Sequence, residues 1–419
     1  MKTWILFLSI LSTSICISQT VGPSVYESEA NPDGIVFPRM TTSERDALQP
    51  NEGQCIYNTI TKELNCFEGT QWVTANIQNE LFDSDSDTKI SVERFYDEDK
   101  IRFDLMGSQV LSLEKNIYNV FRIDYNDQFE NLVIGKNSGI NLRPNNFGNG
   151  TKNTLIGAYA GNGMTTGQFN TLVGNSSGIN LNGSGNTFLG IFTGDSFLNT
   201  GINNTFLGMF TGSSNQTGSY NTFVGVRAGQ MNITGERNVF IGGNSSYAQT
   251  SGSQSVIIGD GSSSNVTNGN FGSVIIGYAA GQNGQTLARN VIIGKQAGLA
   301  FSSTNFIEGN VILGNQAGFS LNGSNNIFIG NQAGYSESGS NKLYIEGSNS
   351  NSPLIYGEFD NDLVKVNGTL HISETAKLTP LSSPPTCTSA EEGLLYFNVN
   401  NRTLQVCKGS LGWKEVLTN

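Results

Sequence analysis

The sequence predicts an all-β chain: a β-solenoid of about twelve coils, flanked by small β-hairpin modules. Three observations carry this. Between Asn131 and Gly330 one pentad recurs twelve times, closing at Gly135, Gly157, Gly174, Gly190, Gly208, Gly225, Gly242, Gly259, Gly277, Gly294, Gly314 and Gly330. Its steps are 22, 17, 16, 18, 17, 17, 17, 18, 17, 20 and 16 residues, and self-similarity at a nearly constant period marks a repeat architecture. The composition agrees. Gly is 51 of 419 residues and only 14% are charged, against roughly 25% in an ordinary domain, which fits short strands joined by Gly/Asn/Ser turns. Finally, the two ends of the chain repeat one hairpin plan.

The N-terminus reads as a secretory signal over 1–18. Lys2 supplies a thin positive region, and the apolar run from Trp4 to Leu11 is too short to span a bilayer. Acylation of Cys16 is the second reading, ranked lower because Ile15 is bulky. A polar leader follows over 19–34. Residues 35–75 then carry Gly53, Asn58, Leu64, Gly69 and Trp72, which align with Gly393, Asn398, Leu404, Gly409 and Trp413 in 378–419. In this alignment the cysteines fall on different positions. Four of them in an exported chain suggest the bridges Cys55–Cys66 and Cys387–Cys407, with reduced, buried cysteines as the alternative.

The connecting and capping segment 76–130 holds two alternating runs, Lys89 to Glu93 and Lys100 to Asp104, which is strand grammar. Asp83, Asp85 and Asp87 could present oxygens to Ca²⁺, but an EF-hand's Gly and closing Glu are missing, and a solvated turn is the favoured reading. A second β-rich cap is expected over 348–377. No later segment is apolar enough to cross a membrane as a helix.

Within the pentad, position one is mostly Asn, a candidate for a stacked amide ladder. Position two is Thr in five copies and aliphatic elsewhere, position three is Val, Leu, Phe or Ile, position four is aliphatic and position five is Gly. Successive strand side chains point to opposite faces, so both faces are apolar. One face fills the coil; the other needs a partner. Assigning positions two and four to the interior leaves Phe188, Phe206, Phe223, Phe240, Ile257, Ile275, Ile292 and Ile312 as an interface between protomers. The alternative is a cross-section that buries both faces in one chain. A second Gly recurs four residues past each pentad Gly in ten copies, often after Ala, which suits tight corners.

Asn-Thr-Phe-Leu-Gly with Phe-Thr-Gly, and Asn-Val-Ile-Ile-Gly with Gln-Ala-Gly, resemble the head repeats of YadA-like trimeric autotransporter adhesins over about 131–347. The flanking modules resemble Bacteroidetes exported surface and tail-fibre-like proteins. This resemblance implies a left-handed parallel β-roll, a homotrimer, and a non-enzymatic secreted or cell-surface adhesion protein binding host, matrix or polysaccharide surfaces. The repeat is longer than the adhesin one, and no coiled-coil stalk or membrane β-strands follow it, so self-export and self-anchoring are not expected.

Other function classes find little support. A net charge of −11 argues against nucleic-acid binding. No cofactor is expected. A polysaccharide-acting solenoid enzyme would need clustered acids, yet Asp195, Glu236, Asp260, Glu308, Glu337 and Glu346 are scattered and the single histidine, His371, lies outside the repeats. An ice- or carbohydrate-binding solenoid would use the Thr column at 154, 171, 187, 205 and 222, here assigned to the interior.

Overall fold

The computed structural model describes residues 37–75, 80–82, 88–92, 100–106, 108–115, 121–125, 128–301 and 306–416. The expected signal and leader, Cys16 and the triplet Asp83, Asp85 and Asp87 lie outside them. The chain divides into two compact units, Met1–Asp127 and Gln128–Asn419.

The first unit holds two sheets. In one, strands Arg39–Met40, Cys55–Asn58, Glu63–Glu68 and Gln71–Thr74 lie in chain order. A one-turn helix, Thr42–Asp46, precedes the hairpin, and Thr41 and Glu44 close it with a reciprocal capping box. Cys55 and Cys66 sit directly opposite each other across the hairpin and are joined by a disulfide, their Cα atoms 4.0 Å apart. The other sheet is a five-stranded antiparallel meander with strands between Glu80 and Tyr125, including Lys89–Val92 and Lys100–Leu105 from the two alternating runs of the connecting segment.

The second unit is the solenoid. Its main sheet has fifteen strands. The twelve pentads and Lys342–Ile345 form a continuous parallel stack, and pentad position pairs with pentad position throughout, as in Phe188↔Phe206 and Phe206↔Phe223. Each pentad strand is three residues long. A three-stranded parallel sheet, Gly269–Phe271, Thr286–Ala288 and Phe306–Glu308, adds a second wall over part of the stack.

Position three points inward. Phe188, Phe206, Phe223, Phe240, Ile257, Ile275, Ile292 and Ile312 are all fully buried within this one chain. They are its core and not a contact between protomers, which corrects the expected interface. The physical reason lies in what surrounds each ring. The residue three past the pentad Gly is small and buried, as in Thr211, Ala228 and Ala280. The recurrent Gly after it takes positive φ near the core side chain. A Cβ on Gly212 would come within 2.5 Å of the Phe206 ring. In the Phe coils position three supplies the one large apolar side chain, while coils with Leu or Ile there bury a second apolar residue further along, such as Met164, Leu181, Val266, Leu287, Phe301 or Leu321. The rings stack along the axis with centroids 4.7, 4.8 and 4.5 Å apart from Phe188 to Phe240.

The pentad Gly has its own constraint. At Gly208, with φ 135°, an added Cβ would lie 2.6 Å from the carbonyl oxygen of Gly225 in the next coil. The position-one Asn forms the expected ladder. Asn204 Oδ1 accepts from the Asn221 backbone N–H at 2.9 Å and from its Nδ2 at 3.2 Å, while Asn221 Nδ2 also donates to the carbonyl of Gly235. The same pattern runs from Asn131 to Asn221, and from Asn290 to Asn326. Asn238, Ser255 and Ser273 occupy position one between these runs, and the Asn238 backbone N–H still donates to Asn221 Oδ1.

At the far end the sheet stops being parallel. Ile355–Glu358 and Leu363–Val366 pair antiparallel and finish the stack. Here Tyr356 and then Asn361 donate to Glu358, with Lys342 Nζ donating at 3.1 Å, and together they hold its carboxyl down at about 2. The C-terminal module, Pro380–Leu381, Leu395–Asn398, Thr403–Cys407 and Trp413–Glu415, repeats the first unit's strand order. Register equates Cys55 and Cys66 with Leu395 and Val406. The second disulfide joins Cys387 to Cys407 with Cα atoms 5.6 Å apart, so it ties a preceding loop to the sheet.

Truncating a core ring leaves a cavity that the glycine-lined wall cannot fill. Phe206→Ala should destabilise the solenoid by about 3–5 kcal/mol. Leu207→Ala, on the opposite face of the same strand, should cost well under half of that in a dispersed chain. Denaturant unfolding of the two variants measures the difference.

Candidate functional surface

With position three inside, positions two and four face outward. Thr171, Thr187 and Thr205 are exposed, as are Leu189 at 47% and Leu207 at 42%. This reverses the assignment of the Thr column to the interior. The aliphatics that accompany it line an outer wall.

The wall changes character along the stack. From Thr154 to Val224 each strand presents one Thr and one aliphatic residue. From Val239 to Ile329 both outward positions are Val, Ile or Leu in every strand. No outward position of the twelve pentads carries a charge. At the first corner the apolar surface continues through Ile191, Met209 and Val226, each 41–46% exposed. Phe192 and Phe210 stack beside them with centroids 5.3 Å apart. Twelve strands at roughly 4.8 Å spacing, about 10 Å wide, give roughly 600 Å² of flat, uncharged sheet. That is at the upper limit of the largest apolar patch on an ordinary monomer, about 300–600 Å².

The longer coils place their extra residues elsewhere. Phe147, in the 22-residue step, and Phe197, in an 18-residue step, project almost fully into solvent. Asp195, beside Phe197, is half-buried, and burial raises its carboxyl to about 6. Among the described residues no group of three or more His, Cys, Asp or Glu side chains converges, and no helix is long and apolar enough to cross a membrane. His371 lies exposed on the segment between the sheet's last strand and the C-terminal module.

Residues 17–90 match the family model of the phage tail-like trimerisation region. No curated protein matches the chain, and no solved structure matches it. The match and the solenoid together fit a tail-fibre-like trimeric β-protein.

Asp195 makes solenoid stability depend on pH. Its folded pKa lies above the unfolded value of 3.8, so its favourable contribution is complete below about 4 and is lost as pH rises through about 6. The shift corresponds to about 3 kcal/mol at most, and its half-exposure reduces this to about 1 kcal/mol. Asp195→Asn should therefore raise the melting temperature at pH 7 by about 2–4 °C and leave it unchanged at pH 4. Melting curves at the two pH values check this.

Proposed function

We propose that this chain is a non-enzymatic, homotrimeric, fibre-like structural protein of the cell exterior whose solenoid acts as a binding head for host, matrix or polysaccharide surfaces. The observation that carries the reading is the uncharged outer wall of the solenoid, on a chain whose N-terminal part matches a trimerisation region. Joining three chains through one segment raises the effective concentration of the other segments. Three copies of a flat aliphatic wall would then cover one another. The interface residues in this reading are Leu189, Leu207, Val224, Ile241, Ile258, Ile276, Ile293 and Leu313, the outward neighbours of the residues first expected there. Burial of such a face suits an obligate assembly, whose interfaces are more apolar than transient ones.

The exterior location draws support from the apolar N-terminal run and from the two disulfides, which persist in oxidising compartments. The likeness to adhesin heads, and with it the left-handed coil, rests on the repeat sequence. The absence of an enzyme role is part of the same proposal: the outer wall presents no acid or base beside its Thr column.

A second reading follows from the outward Thr column. Thr154, Thr171, Thr187, Thr205 and Thr222 pair in register, so their hydroxyls recur at roughly 4.8 Å. A flat Thr ladder of this kind suits ice or a crystalline polysaccharide. In the trimer reading that column is covered.

Light scattering on residues 19–419 separates the two. The expected mass is three times that of one chain, and Leu207→Asp with Ile276→Asp should leave that mass to the N-terminal segment while lowering the melting temperature of the solenoid. A monomeric parent protein at working concentration would sink the trimer. Thermal hysteresis from that monomer, abolished by Thr205→Leu, would establish the second reading instead.

A further inference from the structure

The corner column that carries Ile191, Met209 and Val226 is interrupted further along. Gly243 replaces the next side chain in that column, and Gly261 replaces one in the adjacent column, where Phe192, Phe210, Arg227 and Asn244 stand in earlier coils. These residues hold positive φ values of 52–59° despite their side chains. Gly261 holds φ +65° without that strain, and a Cβ there would meet only Gln282 Nε2 at 3.6 Å. Losing two side chains opens a notch in an otherwise continuous corner.

The notch is a groove of about 430 Å³, within the roughly 300–1,000 Å³ range of small-ligand sites. Arg227 and Asn244 line one end, and Tyr278 and Gln282 the other, with Tyr247 and Asp260 between. Tyr278 is 55% exposed, and Tyr247 is half-buried. Gln282 is anchored by donating to Ser264 Oγ at 3.3 Å. The side chains of Arg227, Asp260, Asn244 and both tyrosines have no hydrogen-bond or ion-pair partner among the described residues. Arg227 and Asp260 share the groove without forming an ion pair.

We propose that this groove binds a neutral hexopyranose unit of an oligosaccharide. The chemistry selects that class. A phenol ring offers an apolar face and a polar tip, matching a pyranose, whose C–H groups lie on its faces and whose hydroxyls lie around its rim. Arg227 presents a rigid fork of donors, and Asp260 accepts through two oxygens, so a pair of adjacent hydroxyls satisfies either. Asn244 and Gln282 each donate and accept. The two charges oppose one another, so an anionic sugar would meet Asp260 and a cationic one Arg227. A neutral sugar meets neither penalty. The site lies on the corner and the following wall, so it belongs to one chain and its binding does not depend on trimer assembly.

The test uses residues 19–419 and a panel of neutral hexose oligosaccharides (gluco-, galacto- and manno-pentaoses), with galacturonan oligomers as the anionic comparison, read by saturation-transfer NMR and calorimetric titration. At least one neutral pentaose should bind, and Tyr278→Ala and Asp260→Ala should each weaken it at least tenfold. Light-scattering mass should stay at the parent value in both variants, which separates failure of this site from failure of the assembly. No binding across the neutral panel, binding confined to galacturonan, or binding unchanged in both variants would overturn the proposal.

Discussion

Each coil of this molecule closes in about seventeen residues around a narrow core led by the position-three side chain, and most other features follow from that limit. A hollow so narrow accepts one Phe ring, or a smaller aliphatic with one further apolar side chain, and it demands small residues directly opposite position three. The chain meets this with a buried small residue and a positive-φ Gly directly across from position three. The Asn at position one deals with the second consequence of a narrow coil. Backbone groups at the turn into each strand are buried, and buried donors need partners. The Asn carboxamide serves the next coil's N–H and a carbonyl of the following arc together. Stacking of rings and of amides therefore runs in parallel through the same coils, and each coil is completed by its neighbour.

This dependence explains what the sequence made legible and what it concealed. The period, the strands, the amide ladder and the two hairpin modules were all readable, because each rests on local chemistry: Gly where no Cβ fits, Asn where an amide is needed, alternation where a strand runs. The disulfide pairing was readable because each pair is close in sequence. The direction of the strand's two faces was not. Both faces are apolar, so alternation alone leaves them equivalent. Treating the aliphatics of positions two and four as the interior marker exchanged the core and the outer wall. A signal that breaks the tie was present. The recurrent Ala-Gly or Thr-Gly after each pentad, as at Ala228-Gly229 and Thr211-Gly212, is the complement of a bulky partner. Phe at position three is the bulkiest residue in the repeat.

The groove was invisible for a different reason. Its residues come from four successive coils and are united only by stacking, so no local motif announces them. What the sequence does show is the loss of side chains at Gly243 and Gly261 from columns filled in the earlier coils. In a repeat protein, a departure from the repeat is the informative position, because the periodic residues are occupied with holding the coils together.

The irregular steps reinforce this division. Steps range from 16 to 22 residues, yet the register of the main sheet is unbroken across all twelve pentads. Extra residues are extruded on the arcs, where they expose Phe147 and Phe197. The outer wall therefore keeps one spacing from end to end while the arcs vary freely. A surface with an uninterrupted 4.8 Å repeat is matched most fully by another surface with the same repeat, and a second copy of this chain has it by construction of the fold. The corner columns just past each pentad Gly are free of that matching requirement, and distinct shapes and charges such as Arg227 and Asp260 are tolerated there. The proposed assembly and recognition surfaces are thus neighbours, wall and first corner, and a change in arc sequence leaves the packing of the wall untouched.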